Sequence, residues 1–252
     1  MKFIILGCGS SMGVPRADGF FGKCDHKNSK NYRSRSSALI KSKNMNILID
    51  TSPDLRYQLI KNNIKDIHNV IYTHNHADQT HGINDLRVFF LKNKKKVPAY
   101  ADQATKKYLS SSFSYCFKKN KDYPAILKFM RMKKKINFGK LIKIESFKVK
   151  HGSIQSLSFI INRKLAYLPD VNEIYEKDYQ KFKKLDYLVI DCLRYKKHPS
   201  HFNLEDVLRL NILLKPKKMI LTNLHSDLDY EKLVNILPKN VKPAYDGLSL
   251  NF

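Results

Sequence analysis

The sequence predicts a mixed-sheet α/β fold, on three observations. Short β-type runs recur along the whole chain. Amphipathic helical stretches alternate with many of them. Two pairs of neighbouring runs are separated by hairpin-length gaps, which a purely parallel sheet does not contain.

The elements follow in order. Lys2–Leu6 is an apolar run that enters Gly7-Cys-Gly9, so it reads as a strand closing in a tight turn. It is too short for the hydrophobic segment of a signal peptide. Gly7, Gly9 and Gly13 lack the full phosphate-loop spacing and a following helix, which favours the turn. Ser37–Lys41 and Asn46–Asp50 form the first hairpin pair, followed by a helical pattern at about Asp54–Asn62. Strands are expected at Asn69–Tyr72 and Val97–Tyr100, with a helix over Gln103–Phe117. Ile144–Val149 alternates, and Leu157–Ile161 with Leu165–Leu168 makes the second hairpin pair. The pattern then runs helix Asn172–Lys183, strand Tyr187–Ile190, helix Leu204–Leu214, strand Lys218–Leu221 and helix Tyr230–Ile236. No internal repeat or Gly/Ser linker divides the chain, so residues 1–252 are expected as a single domain. Residues 92–135, which carry Lys94-Lys-Lys96 and Lys133-Lys-Lys135, are the candidate basic insertion or surface arm.

Composition narrows the function. A length of 252 residues with 42% hydrophobic content builds a sizeable core and excludes a disordered basic tail. Lys+Arg of 47 against Asp+Glu of 22 gives a net charge of +25, which favours anionic partners, nucleic acid among them, but does not require them. The four cysteines are scattered without paired spacing, so neither a disulfide framework nor a cysteine zinc ribbon is expected. With no run near the roughly 18 apolar residues of a membrane helix, a cytoplasmic protein without membrane attachment is expected.

The chemistry lies with histidine. Seven of the nine histidines fall in four short windows. The densest is Tyr72-Thr-His-Asn-His-Ala-Asp-Gln-Thr-His81, directly after an apolar strand. In extended backbone, residues i and i+2 share a side, so His74 and His76 reach one ion together, with Asp78 continuing the spacing. A polar loop with Asp78 capping the next helix is the simpler alternative, but three histidines and a carboxylate in eight positions speak against it. His151 ends an alternating strand, and Asp170 ends the run Ala166-Tyr-Leu-Pro-Asp170, where its ordinary role is a helix cap. His225 follows the run ending at Leu221. Ligand-type residues after successive strands suggest one convergent sheet edge.

With these residues in place the chain resembles the metallo-β-lactamase-fold hydrolases. Within them it is most similar to the branch containing the phosphoribosyl cyclic phosphate phosphodiesterase, with tRNase Z more distant. The motifs are Ile5-Leu-Gly-Cys-Gly-Ser-Ser-Met-Gly-Val-Pro15, Leu48-Ile-Asp-Thr-Ser-Pro-Asp-Leu-Arg56, Thr73-His-Asn-His-Ala-Asp78, Tyr167-Leu-Pro-Asp170, His198-Pro-Ser-His201 and Ala244-Tyr-Asp-Gly-Leu248. The resemblance implies a four-layer αββα sandwich with mixed sheets and one or two divalent ions, Zn2+ or Mn2+. It implies His74, His76 and His151 on a first ion, Asp170 between two ions and Asp78 on the second. It places His201 as a proton donor or phosphate clamp, with Asp78 as the other candidate catalytic group and His198 either behind His201 or a further contact to a substrate phosphate. The activity implied is hydrolysis of a small cyclic or nucleotide-like phosphate ester. A tRNase Z-like nuclease and a non-catalytic binding protein on a decayed scaffold are the alternatives.

Two positions depart from the family pattern. Gln79 stands where a histidine usually follows Asp78, and Asn223 stands where the last histidine ligand usually falls. Histidines recur two residues later, at His81 and His225. Three readings stay open: a second site rebuilt from His81 and His225, a second site for a harder ion such as Mn2+ or Mg2+, or a single-ion enzyme. Cys24 alone cannot make the cysteine-held zinc of some relatives and reads as a buried small residue. Arg33 and Arg35 alternate onto one side and are candidates to grip a phosphate, or else solvated loop residues with ion pairs.

Overall fold

A computed structural model describes all 252 residues. The first sheet takes β1 (Lys2–Gly7), β2 (Ser37–Lys41), β3 (Asn46–Ile49), β4 (Asn69–Ile71), β5 (Val97–Ala101) and β6 (Leu127–Arg131). The second takes β7 (Lys135–Phe138), β8 (Ile142–His151), β9 (Ile154–Ile161), β10 (Leu165–Leu168), β11 (Tyr187–Asp191), β12 (Lys218–Thr222) and β13 (Val241–Pro243). The last strand, β14 (Ser249–Asn251), returns to the first sheet beside β1. The orders are β14-β1-β2-β3-β4-β5-β6 and β13-β12-β11-β10-β9-β8-β7, seven strands each. Both sheets are mixed: β3 to β6 run parallel, as do β10 to β13, and hairpins supply the antiparallel pairs.

Helices cover the outer faces. α1 (Leu55–Lys61), α2 (Ala77–Thr80), α3 (Arg87–Asn93), α4 (Gln103–Ser112) and α5 (Ser114–Phe117) accompany the first sheet. α6 (Tyr179–Phe182), α7 (Leu204–Leu214) and α8 (Tyr230–Ile236) cover the second. The result is the αββα sandwich expected. Because each sheet is covered on both sides, its central strands are apolar throughout rather than alternating with polar residues. In β1, Phe3 and Ile5 enter the core between the sheets, while Ile4 and Leu6 face the helices. β10 does the same, with Leu165 and Tyr167 inward and Ala166 and Leu168 outward. No helix is long and apolar enough to cross a membrane.

Phe159 is fully buried in the inter-sheet core. Phe159→Ala is expected to cost about 3–5 kcal/mol through lost burial and an unfilled cavity. For a chain this long that lowers the melting temperature by on the order of 10 °C. Thermal denaturation checks it, and an unchanged midpoint would contradict the two-sheet core.

Three expectations need correction. Residues 92–135 are not an appended arm: β5 and β6 within them pair in register as members of the first sheet. The Gln103–Phe117 helix breaks at Phe113, whose backbone leaves the helical region, giving α4 and α5. The Asn172–Lys183 helix shrinks to a single 3-10 turn at Glu176–Asp178 and the short α6. Its first residues are drawn to β8 instead. Lys150 and Glu173 form a β-bridge, and the Gly152 N–H donates to Asn172 Oδ1 at 2.8 Å.

Candidate metal centre

β4, β10, β11 and β12 end at the same edge, where carboxyl ends of strands offer loops for a site. β8 and β10 are each antiparallel to β9, so His151 at the end of β8 reaches that edge too. His74 and His76 leave β4 in extended backbone, and α2 starts immediately after them. Asp170 lies two residues beyond β10, Asp191 closes β11, and Asn223 follows β12. The Leu157 N–H donates to Thr73 O at 2.9 Å and ties the two sheets together beside the centre.

The three imidazoles converge. Ring centroids are 4.5 Å apart for His74 and His76, 5.0 Å for His74 and His151, and 5.1 Å for His76 and His151. One ligand atom from each lies within 4.8 Å of the others, and a second such group joins His151, Asp170 and His201. Hydrogen bonds at Nδ1 fix the tautomers. Thr73 donates its hydroxyl to Asp50 Oδ2 at 2.8 Å, so its oxygen accepts from His74 Nδ1 at 3.0 Å. His151 Nδ1 donates to Ser200 O at 2.7 Å. Both rings therefore turn the lone pair of Nε2 inward, that of His151 lying 3.3 Å from His76 Nδ1, the arrangement metal-ligating histidines adopt. His74 Nε2 is buried with no hydrogen-bond partner. Leaving it so costs about 1–3 kcal/mol, which a coordinated cation removes. Burial, then the charges of neighbouring histidines, pushes His74 well below the usual range, and the same effects bring His151 down to about 4. Neutral imidazole is the form that binds an ion. These residues fit a divalent cation.

The acidic side of the centre is closed by amides. Gln79 Nε2 donates to Asp78 Oδ2 at 3.1 Å and to Asp170 Oδ2 at 3.0 Å. Asn223 Nδ2 contacts Asp170 Oδ1 at 3.4 Å, Pro169 O at 3.1 Å and Asp191 Oδ1 at 3.2 Å. Burial raises Asp78, and burial with the Asp78 charge raises Asp170. His201 Nδ1 meets Asp191 Oδ2 at 2.6 Å, and its ring lies 4.7 Å from that of His151. Burial alone would lower His201, but the Asp191 charge and hydrogen bond, then Asp170 and Asp78, raise it to about 9.

The other sequence candidates are distributed unevenly. His198 packs 5.1 Å from His201, with its Nδ1 accepting from Ser200. His81 is not at the centre, because the helical turn of α2 carries it outward to Tyr108 OH at 3.1 Å. His225 also turns away: its Nδ1 lies 3.5 Å from Asp227, while Asn223 keeps the position facing Asp170. Arg33 is only 2% exposed, and it donates to Leu228 O at 2.7 Å, Asn31 Oδ1 at 3.0 Å and His225 O at 3.3 Å. It fastens loops rather than gripping a phosphate. Arg35 is held bidentately by Asp54 at 2.8 and 2.6 Å. Arg33→Lys is accordingly expected to lose on the order of 2 kcal/mol of stability, since an ammonium cannot reach all three acceptors. KM should stay unchanged, and thermal denaturation alongside steady-state kinetics checks both.

Asp50, Asp191 and Ser200 are site residues that sequence reasoning missed. Asp191 carries the signal that found Asp170, a carboxylate closing the apolar run Leu188-Val-Ile-Asp191. Asp50 likewise closes β3 and receives Thr73 N at 2.7 Å.

Residues 45–223 match the family model of the beta-lactamase superfamily domain. The chain belongs to the beta-lactamase superfamily. Among solved structures of this superfamily's fold, a diphosphatase from the PhnP family superposes with a TM-score of 0.89 at 30% identity, covering 100% of this chain and 97% of that one. Human tRNase Z, short form, gives a TM-score of 0.73 at 16% identity, covering 100% and 99%. A Porphyromonas gingivalis protein named octanoyltransferase is 30% identical over 98% of this chain. The chain spans 51% of that relative's length.

Proposed function

We propose that the protein is a divalent-metal-dependent hydrolase of a small phosphate ester or diphosphate. The observation that carries this reading is the convergence of His74 Nε2, His76 and His151 on one point, with His74 Nε2 buried and unpartnered. A bound ion supplies acidification of water and neutralisation of phosphoryl charge. The chain's own residues supply the rest. His201 keeps Nδ1 on Asp191, so its Nε2 is the atom left to face a substrate. As water adds to phosphorus and the P–O bond to the leaving group breaks, His201 gives the departing oxygen its proton. Asp191 holds the imidazole in the orientation that keeps Nε2 available. Asp78 and Asp170, the latter within 4.8 Å of a His201 ring nitrogen, orient the attacking water. The similarity to a diphosphatase at 30% identity supports a phosphoryl substrate.

A substrate panel tests the reading. Zn2+- or Mn2+-loaded protein is offered a phosphodiester, a cyclic phosphate, a dinucleoside diphosphate, an octanoyl thioester and tRNA. Turnover is expected with the first three. Turnover confined to the thioester would overturn the phosphoryl assignment and favour the acyl chemistry in the name of the Porphyromonas relative. Activity confined to tRNA, falling steeply with salt, would favour a nuclease.

A further inference from the structure

We infer that this centre holds one divalent ion rather than two, because the side-chain amides of Gln79 and Asn223 fill the place of a second. The inference deepens the hydrolase reading above and rests on it. Lone pairs set the first limit. The two candidate groups, His74/His76/His151 and His151/Asp170/His201, share His151. Its Nδ1–H is committed to Ser200 O at 2.7 Å, leaving one lone pair, at Nε2. A neutral imidazole with one lone pair serves one ion, so the two groups cannot be filled separately.

The carboxylates set the second limit. An ion shared by Asp78 and Asp170 would lie between their Oδ2 atoms, and Gln79 Nε2 already lies there, at 3.1 and 3.0 Å. An amide nitrogen donates two hydrogens, one for each carboxylate, and has no lone pair for a metal. Gln79 Oε1 is buried without a hydrogen-bond partner, and turning it toward the carboxylates would give up both hydrogen bonds that Nε2 makes to them. Gln79 is 0% exposed and Asn223 is 1% exposed, so neither swings out to solvent. From the other side Asn223 Nδ2 donates to Pro169 O at 3.1 Å and Asp191 Oδ1 at 3.2 Å and lies 3.4 Å from Asp170 Oδ1. Asn223 holds φ at 60°, a left-handed conformation that Asn and His tolerate better than most residues. His81 and His225, the histidines displaced by two positions, are engaged by Tyr108 and Asp227 away from the centre. Neither displaced histidine is left to rebuild a second site, and His201, the other imidazole beside Asp170, is tied by its Nδ1 to Asp191 Oδ2 at 2.6 Å.

Counting ions tests this. Chelator-stripped protein is titrated with Zn2+ and with Mn2+, and the bound equivalents are counted by native mass spectrometry and calorimetry. One equivalent per chain is expected, and it should disappear in His74→Ala. Two equivalents in the wild type would overturn the inference while leaving the hydrolase reading intact. No bound ion at all would overturn both, as would an ion retained unchanged by His74→Ala. The paired variant Gln79→His with Asn223→His is expected to take up a second equivalent. A count remaining at one in the folded variant would show that the amides are not what excludes the second ion. Gln79→Glu, which exchanges the donor for an anionic ligand of nearly the same size, carries the same expectation should the pair not fold.

Discussion

His76→Ala is expected to abolish metal-dependent hydrolysis. The ion's contribution to transition-state charge stabilisation is several kcal/mol, and a loss of about 4 kcal/mol is a fall of about 10³-fold in kcat/KM. His76 is exposed, so the substitution leaves the core packed, and lost activity cannot be ascribed to unfolding. Asp170→Ala is expected to act in the same direction with a further cost in stability, because it strips a partner from Gln79 and Asn223. A thermal-shift experiment separates the two effects. Metal at about 100 times its Kd stabilises the wild type by about 2.7 kcal/mol, and His76→Ala should lose that increment while keeping its metal-free melting temperature. Unchanged turnover in both variants would refute a metal-dependent mechanism at this centre.

His201→Asn is expected to lower kcat by about 10²–10⁴-fold, the usual range for a positioned proton donor, with smaller effects on KM and metal content. The pH profile makes the prediction specific. With its pKa raised to about 9, His201 is protonated at neutral pH, and a bound cation nearby shifts that value downward only. Activity should therefore fall as pH rises, on a limb at or below about 9. Asp191→Asn removes the charge that raises it and should move the limb toward the ordinary histidine value of about 6.5. The same pair is linked to stability. Because the folded pKa lies above the unfolded one, its contribution is fully present below about pH 6.5 and is lost as pH rises through about 9. Steady-state kinetics across pH 5.5–9.5 on both proteins, a range of about four units around the ordinary value, checks the shift. A limb that does not move in Asp191→Asn would remove Asp191 from its positioning role.

How much was legible in the sequence depended on whether a local pattern could carry the information. All ten strands expected from the sequence are present, and all ten are interior strands of their sheets. The four missed strands, β6, β7, β13 and β14, are the four sheet edges. Edge strands are kept short, charged or proline-bearing because their open side must not recruit another chain. Leu127-Lys-Phe-Met-Arg131 and Val241-Lys-Pro243 have that composition and lack the apolar signal that interior strands require. The same cause produced the misreading of residues 92–135, where lysines on an edge resembled an appended arm.

For the centre, the sequence by itself determined the candidate ligand types. His74-x-His76-x-Asp78 after one strand, and His151 and Asp170 after others, follow from the alternation of extended backbone and from polar residues closing apolar runs. Only the tertiary structure decided what the amides, arginines and remaining histidines do, because those roles depend on partners far away in the chain. Gln79 reaches across 91 positions to Asp170, and Arg33 reaches 195 positions to Leu228 O. His225 sits two residues from Asn223, yet the chain turns there at positive φ, so the alternation that made it a candidate does not continue. Spacing along a strand says which side chains share a side. The packing of two sheets face to face says which of them meet.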